Sequence, residues 1–191
     1  MIAYAAPQRT VQHPRTTELL QHLEQNRAVL REALDAAPLP LRERKPAPER
    51  WSVAEVLEHL AIVERQIGVL LQRGLRRATA DGPLPPDTDC TPVVPAIDAA
   101  RLLDREQRLQ ARQPVVPSRG LTAEQAWQEL GASRVVLRYV VLAADGLDTT
   151  SIKAPHPFFG ELTFHQWIAF VGFHEARHAA QIRSTTAAPQ R

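Results

Sequence analysis

The placement of proline most constrains how this chain can fold. Its 16 prolines are clustered, and four long segments contain none: residues 16–37, 52–80, 122–144 and 163–184. Proline interrupts helices, whereas each of these segments repeats apolar residues at the three- and four-residue spacing of a helix face. The pattern predicts four amphipathic helices.

Local signals at the helix starts support the same interpretation. Three of the segments open with a capping box, in which a hydroxyl residue is followed three positions later by Glu or Gln. The pairs are Ser52 with Glu55, Thr122 with Gln125, and Thr163 with Gln166. No segment alternates apolar and polar residues for long enough to predict a sheet.

The connections predict how the helices are arranged. Residues 81–120, between the second and third helices, are long enough for a crossover between parallel neighbours and could hold a short helix at about residues 96–110. The prediction is therefore an all-α four-helix bundle that forms a single domain over residues 15–184. Flexible tails are expected at residues 1–14 and 185–191.

The composition argues against several classes of binding partner. The 191 residues carry a net charge of only +2, and the arginines are scattered, so no basic stripe predicts nucleic-acid binding. No apolar run approaches the roughly 20 residues of a membrane span, and no signal-peptide pattern is visible. The lone cysteine, Cys90, excludes an intrachain disulfide and fits the reducing cytoplasm.

The fourth segment contains the strongest chemical signal. His174 and His178 are four residues apart, so they lie one turn apart on the same helix face, within the apolar stripe around Trp167. Burying two imidazoles without partners is costly, and a shared divalent metal would satisfy both. A catalytic metal usually takes three protein ligands, so a third ligand is expected from another helix.

Three other histidines lie on the predicted helices, and one of them could be the third ligand. His22 faces away from the apolar stripe of the first helix, which predicts an exposed side chain, and His165 falls on the far side of its helix from His174. His59 lies at the edge of the stripe on the second helix, where it could reach the pair. Spacing alone leaves open whether His59 binds metal or forms a structural hydrogen bond.

Two stretches of sequence resemble a known family. Residues 51–61, WSVAEVLEHLA, resemble the second-helix signature of the DinB/YfiT-like metalloenzymes. Residues 156–163, HPFFGELT, followed by Gln166-Trp167, by HEARH at 174–178 and by Gln181-Ile182, resemble the C-terminal signature of that family. The resemblance implies a four-helix bundle that holds one divalent metal, zinc or nickel, through His59, His174 and His178. It also implies a homodimer.

Five further residues are candidates for the site. Glu175 could be a general base or accept from a ligand N–H, or it could form a surface salt bridge. His156, in the His-Pro loop of the resemblance, could bind substrate, act as a fourth ligand or fix the loop. Gln181 lies on the inner helix face, where it could donate to a ligand or substrate or satisfy a polar group of the core. Arg27 and Arg134 could bind a substrate carboxylate or extend to the surface.

The resemblance also ranks the possible functions. It favours a cytoplasmic enzyme of detoxification or stress response that transfers a low-molecular-weight thiol to a small electrophile, because a metal lowers the pKa of a bound thiol. One alternative is a hydrolase that uses a metal-bound water. Another is a metal-stabilised bundle that binds a small molecule without catalysis.

Overall fold

The computed structural model describes residues 12–104 and 114–187, and the predicted four-helix bundle is confirmed. The described helices are α1 (Pro14–Ala36), α2 (Val53–Ala78), α3 (Ala99–Leu103), α4 (Ala123–Ala143) and α5 (Phe164–Thr186). The described strands are β1 (Lys153–His156) and β2 (Gly160–Thr163). All three capping boxes form, so Ser52, Thr122 and Thr163 are the N-caps of α2, α4 and α5. The helix α1 begins two residues before the predicted start, and α5 ends two residues after the predicted end.

The long helices pack as two parallel pairs. Within the pair of α2 and α4, Glu64 contacts Arg134, and Gly68 lies against Leu137, so residue numbers rise together along both helices. Within the pair of α1 and α5, His22 contacts Ala169 and Arg27 contacts Glu175. The connection between α2 and α4 is therefore the predicted crossover. Only α3 is described within the predicted helix at 96–110, of which residues 105–110 lie outside the described residues.

A short hairpin precedes α5, and the sequence analysis did not predict it. The two antiparallel strands pair Lys153 with Thr163 and His156 with Gly160. Each strand has four residues, too few to produce a visible alternation of apolar and polar side chains. Gly160 has φ +75°, a conformation that favours glycine, at the point where the chain enters the second strand.

The apolar core consists of two clusters. One includes Leu23 of α1 and Leu137 of α4, and the other includes Leu30 of α1 and Leu130 of α4. Each of the four long helices contributes to both clusters, because its apolar stripe runs along the bundle axis. Among the described residues, no helix combines the length and the apolar character needed to cross a bilayer.

The prediction that His22 is exposed is wrong. Its imidazole is buried between α1 and α5, where Nε2–H donates to the carbonyl of Ala169 at 3.0 Å and Nδ1 accepts from Asn26 Nδ2 at 3.2 Å. Burial lowers the pKa of His22, which keeps the ring neutral. The ring occupies a notch at Gly172, where an added Cβ would lie 2.3 Å from His22 Nε2.

This notch makes Gly172→Ala a test of the packing between α1 and α5. Alanine normally stabilises a helix interior by about 1 kcal/mol relative to glycine. At position 172 we expect destabilisation by about 1–3 kcal/mol, because the methyl group displaces a buried, hydrogen-bonded ring. Gly131→Ala in α4 is the matched control, since nothing lies within 4 Å of its added Cβ, and we expect it to stabilise. Urea unfolding of both variants measures the difference, and a Gly172→Ala protein as stable as wild type would contradict the packing.

Candidate metal centre

Three imidazoles meet between α2 and α5. His59 comes from the second turn of α2, and His174 and His178 come from successive turns of α5. His174 Nε2 lies 3.0 Å from His178 Nε2 and 3.3 Å from His59 Nε2. The structure therefore brings together the three histidines named from the sequence, and they form a group able to hold a metal ion.

The spacing of these nitrogen atoms fits a small divalent cation. Ligand nitrogens about 2.0–2.1 Å from zinc are roughly 3.3 Å apart in tetrahedral geometry, close to the two observed separations. His59 and His178 are buried, whereas His174 is partly accessible to solvent. Three nitrogens thus converge on one point, and His174 is the least buried of the three residues.

Hydrogen bonds fix the orientation of two of the rings. His59 Nδ1–H donates to the carbonyl of Val115 at 2.7 Å, and His178 Nδ1–H donates to Gln181 Oε1 at 2.7 Å. With both protons on Nδ1, the Nε2 lone pairs of His59 and His178 point to the same centre. His174 Nε2 carries at most one proton, so it can donate to only one of these two lone pairs at a time. A cation would satisfy all three, and outer hydrogen bonds of this kind are typical of metal-binding histidines.

Burial favours the protonation state that metal binding requires. The pKa of His59 is lowered by burial, which outweighs the hydrogen bond to Val115. The pKa of His174 is lowered well below its ordinary value, first by burial and then by the neighbouring His178 and His59 rings. Both rings are therefore neutral at pH 7 and able to donate a lone pair.

Glu58 lies beside the site, although it projects about 100° away from His59 on the helix, which predicts a surface position. Its side chain is only 2% exposed, and Oε1 accepts from the backbone N–H groups of Ser118 and Arg119 at 3.0 and 2.9 Å. The chain before α4 is thus bound to α2 twice, through Glu58 and through the bond from His59 to Val115. The sequence Glu58-His59 does not indicate this role by itself, because the backbone groups that the two side chains bind belong to a segment about 60 residues away.

Glu175, Arg27 and Arg134 lie together in the bundle interior, on a different face of α5 from the imidazoles. Glu175 Oε1 accepts from Arg27 Nε at 2.7 Å, and Glu175 Oε2 lies 3.0 Å from Arg134 Nη2. The second contact is an ion pair between buried groups. Neither arginine extends to the surface, and the carboxylates they bind belong to this chain.

Glu64 of α2 completes the arrangement. Its two oxygens bind Arg27 Nη2 at 2.8 Å and Arg134 Nε at 2.5 Å. The four side chains form a closed ring of alternating charge, with one member from each long helix, and we call them the charge ring. The ring lies between the two apolar clusters. Burial raises the pKa of Glu175, although both arginines oppose that shift.

His156 lies in an aromatic environment and contacts Phe170, the same ring that stacks on His174. Its ring packs 4.7 Å from those of Phe159 and Phe170, measured between centroids, and 5.1 Å from that of Trp167. Its Nδ1 accepts from the backbone N–H of Phe158 at 3.1 Å, which fixes the turn between the strands. Burial lowers the pKa of His156 to about 4.

Comparison with known proteins agrees with this arrangement. A sequence model of the DinB superfamily matches residues 22–182, from α1 to near the end of α5. The chain belongs to the DinB superfamily. It is 31% identical to the uncharacterized protein YuaE of Bacillus subtilis (strain 168) over 141 residues, which cover 73% of this DinB-superfamily chain and 80% of YuaE.

A solved structure supports the fold of this DinB-superfamily protein. TT2238, whose crystal structure is described as that of a four-helix bundle protein, aligns with a TM-score of 0.59. The alignment covers 88% of this chain and 98% of TT2238, at 23% identity. At that identity the likeness establishes the bundle and carries no information about chemistry.

Proposed function

We propose that this DinB-superfamily protein is a cytoplasmic metal-dependent transferase. One divalent cation, zinc or nickel, is bound by the Nε2 atoms of His59, His174 and His178, and a small thiol is transferred to a small electrophile. The observation that carries the proposal is the convergence of three imidazoles on one point, with His174 as the least buried of the three residues. The bound cation supplies a Lewis acid that lowers the pKa of a thiol or a water molecule.

The residues around the imidazoles have separate tasks in this proposal. Val115 and Gln181 hold His59 and His178 in the tautomer that directs Nε2 to the cation. Glu175 acts as a positioning residue rather than as a general base, because both of its oxygens are bound to arginines. The charge ring fixes the rotation of α5, and so directs His174 and His178 toward α2.

Turnover with thiols and a chromogenic electrophile tests the proposal. With 1-chloro-2,4-dinitrobenzene, a carbon–sulfur bond forms, chloride leaves and the thiol proton passes to solvent. We expect thiol-dependent turnover in the zinc- or nickel-loaded protein that falls to the background rate after chelation. A panel that includes cysteine, bacillithiol and mycothiol identifies the cosubstrate.

Other results from the same protein would contradict the transferase. Metal-dependent cleavage of a nitrophenyl ester without any thiol would favour the hydrolase. Stoichiometric metal binding without turnover of either substrate class would favour a non-catalytic binding protein. The His178→Ala protein is the control for both assays, because any rate it retains does not depend on the three-histidine site.

The outer face of α4 supports a second part of the proposal, a homodimer. Val135, Tyr139 and Leu142 follow one another at helical spacing and are 69%, 68% and 42% exposed. A contiguous exposed apolar stripe is typical of an interaction surface. We expect light scattering to give twice the chain mass for the wild type and the chain mass for Tyr139→Lys.

A further inference from the structure

A cavity of about 160 Å³ lies between α3, the hairpin and α5. Its walls are mainly apolar, and the side chains that form them are Ile97, Leu102, Phe159, Leu162 and Phe170. Gln166 also lines it, but its Oε1 accepts from the backbone N–H of Thr163 in the capping box of α5. Asp98 and Ala96 are exposed and lie at the rim.

Two contacts connect this cavity to the candidate metal centre. Phe170 forms part of the cavity wall, and its ring stacks on the His174 imidazole with centroids 5.2 Å apart and planes inclined by 18°. Leu102 forms another part, and its carbonyl accepts from Arg177, the neighbour of His178. The cavity therefore lies along the same side of α5, one helical turn from His174, which is the partly accessible member of the cluster.

The volume indicates the size of the group that fits. An apolar cavity of about 150 Å³ in another protein holds benzene. The wall residue Phe170 and His174 are four residues apart, a rise of about 6 Å along α5, so a short linker between the ring and the reactive atom would need to cover a distance of that order.

We propose that the cavity binds a benzene-sized apolar group of the substrate, and thereby places the reactive atom one turn away at the three imidazoles. This inference rests on the proposed function and narrows its substrate class to compounds that carry an aryl or similar compact apolar group joined to the reactive centre by one or two atoms. Phe170 contributes to specificity, because the same ring forms the cavity wall and packs on His174.

A pair of metal-chelating probes tests the proposal without turnover. Acetohydroxamate and phenylacetohydroxamate share the chelating group and differ by one phenyl ring. We expect the zinc-loaded protein to bind the phenyl compound about 10- to 100-fold more tightly in calorimetry, the gain expected from burying a group of that size. Equal affinities for the two probes would overturn the proposal.

Two cavity-filling variants test whether the preference for the phenyl compound arises in the cavity. Leu162→Trp fills the cavity from the hairpin, and Ala96→Trp covers it from the exposed rim, where misfolding is not expected. Both should reduce the preference for the phenyl compound to less than about threefold while the affinity for acetohydroxamate stays unchanged. Leu39→Trp is the matched control, because Leu39 is 70% exposed in the turn between α1 and α2. If both variants still prefer phenylacetohydroxamate as strongly as the wild type does, the proposal is wrong.

A metal-free experiment separates failure of the cavity from failure of the metal site. Toluene added to the metal-free protein should shift the methyl resonances of Ile97, Leu102 and Leu162, and leave that of exposed Val135 unchanged. If acetohydroxamate binds normally but toluene shifts none of them, the cavity proposal is wrong and the metal site stands. If toluene shifts them but no hydroxamate binds, the proposed function fails, and the link from cavity to reaction fails with it.

Discussion

Replacing His178 with alanine is expected to reduce the metal content of the purified protein from about one equivalent per chain to near zero. The substitution removes one of three converging Nε2 atoms and leaves only His59 and His174. Glu175, the adjacent acidic side chain on α5, cannot take its place, because its carboxylate is bound to Arg27 and Arg134. Loss of an outer hydrogen-bond partner typically costs 10- to 100-fold in metal affinity, and loss of a ligand should cost more.

The measurement is elemental analysis after loading with zinc and removal of unbound ions. His165→Ala is the matched control: it removes an imidazole from the same helix, where the ring packs against Phe164 rather than in the cluster, and it should retain full occupancy. Added zinc should also raise the melting temperature of the wild type but not of His178→Ala, because only a protein that binds the ion is stabilised by it. Full occupancy in His178→Ala would show that the site is assigned incorrectly.

The sequence predicted the parts of the fold that depend on local signals. The capping boxes at Ser52, Thr122 and Thr163 set the helix starts, because they act over three residues. The pairing of His174 with His178 follows from helix geometry alone. The addition of His59 needed the resemblance to the DinB/YfiT-like family, because nothing local shows which helix packs against α5.

The errors came from positions whose surroundings are built by distant segments. His22 was expected in solvent because it lies off the apolar stripe, but the absence of a side chain at Gly172 creates a place for its ring. A surface position is predicted for Glu58 because it projects about 100° away from His59, but the chain before α4 covers that face of α2. The apolar periodicity of a helix indicates the face that packs on its nearest partner, but it does not show whether another segment covers a second face.

The charge ring is a further case in which the sequence does not identify contacts between distant segments. Arg27 lies within the apolar stripe of α1, and the sequence predicts either a substrate carboxylate or the solvent as its partner. Its actual partners, Glu64 and Glu175, come from two other helices. Buried charges need partners of opposite sign, so a charge within an apolar stripe predicts a complementary charge elsewhere without giving its position.

Arg134→Met is expected to destabilise the fold by about 3–5 kcal/mol, the cost of removing one partner from a buried ion pair. The substitution leaves Glu64 and Glu175 buried with Arg27 as their one remaining cation within the charge ring. For a chain of this size, the loss corresponds to a fall of roughly 10 °C in melting temperature. Arg138→Met, one turn further along α4, is the matched control. Its pair with Glu24 is 2.9 Å long but 40% and 56% exposed, so its loss should cost at most about 1 kcal/mol.

A second substitution shows whether Arg134 stabilises the fold through its charge or through the packing of its alkyl chain. In the Arg134→Met/Glu175→Gln protein, the ring again holds one cation and one anion, so the buried charge is balanced. We expect this double variant to lose about 0.5–3 kcal/mol less than the sum of the two single variants, measured by urea unfolding. Additive losses would mean that Arg134 contributes through the packing of its alkyl chain. A loss in Arg134→Met no larger than in Arg138→Met would show that the four helices do not depend on the charge ring for their alignment.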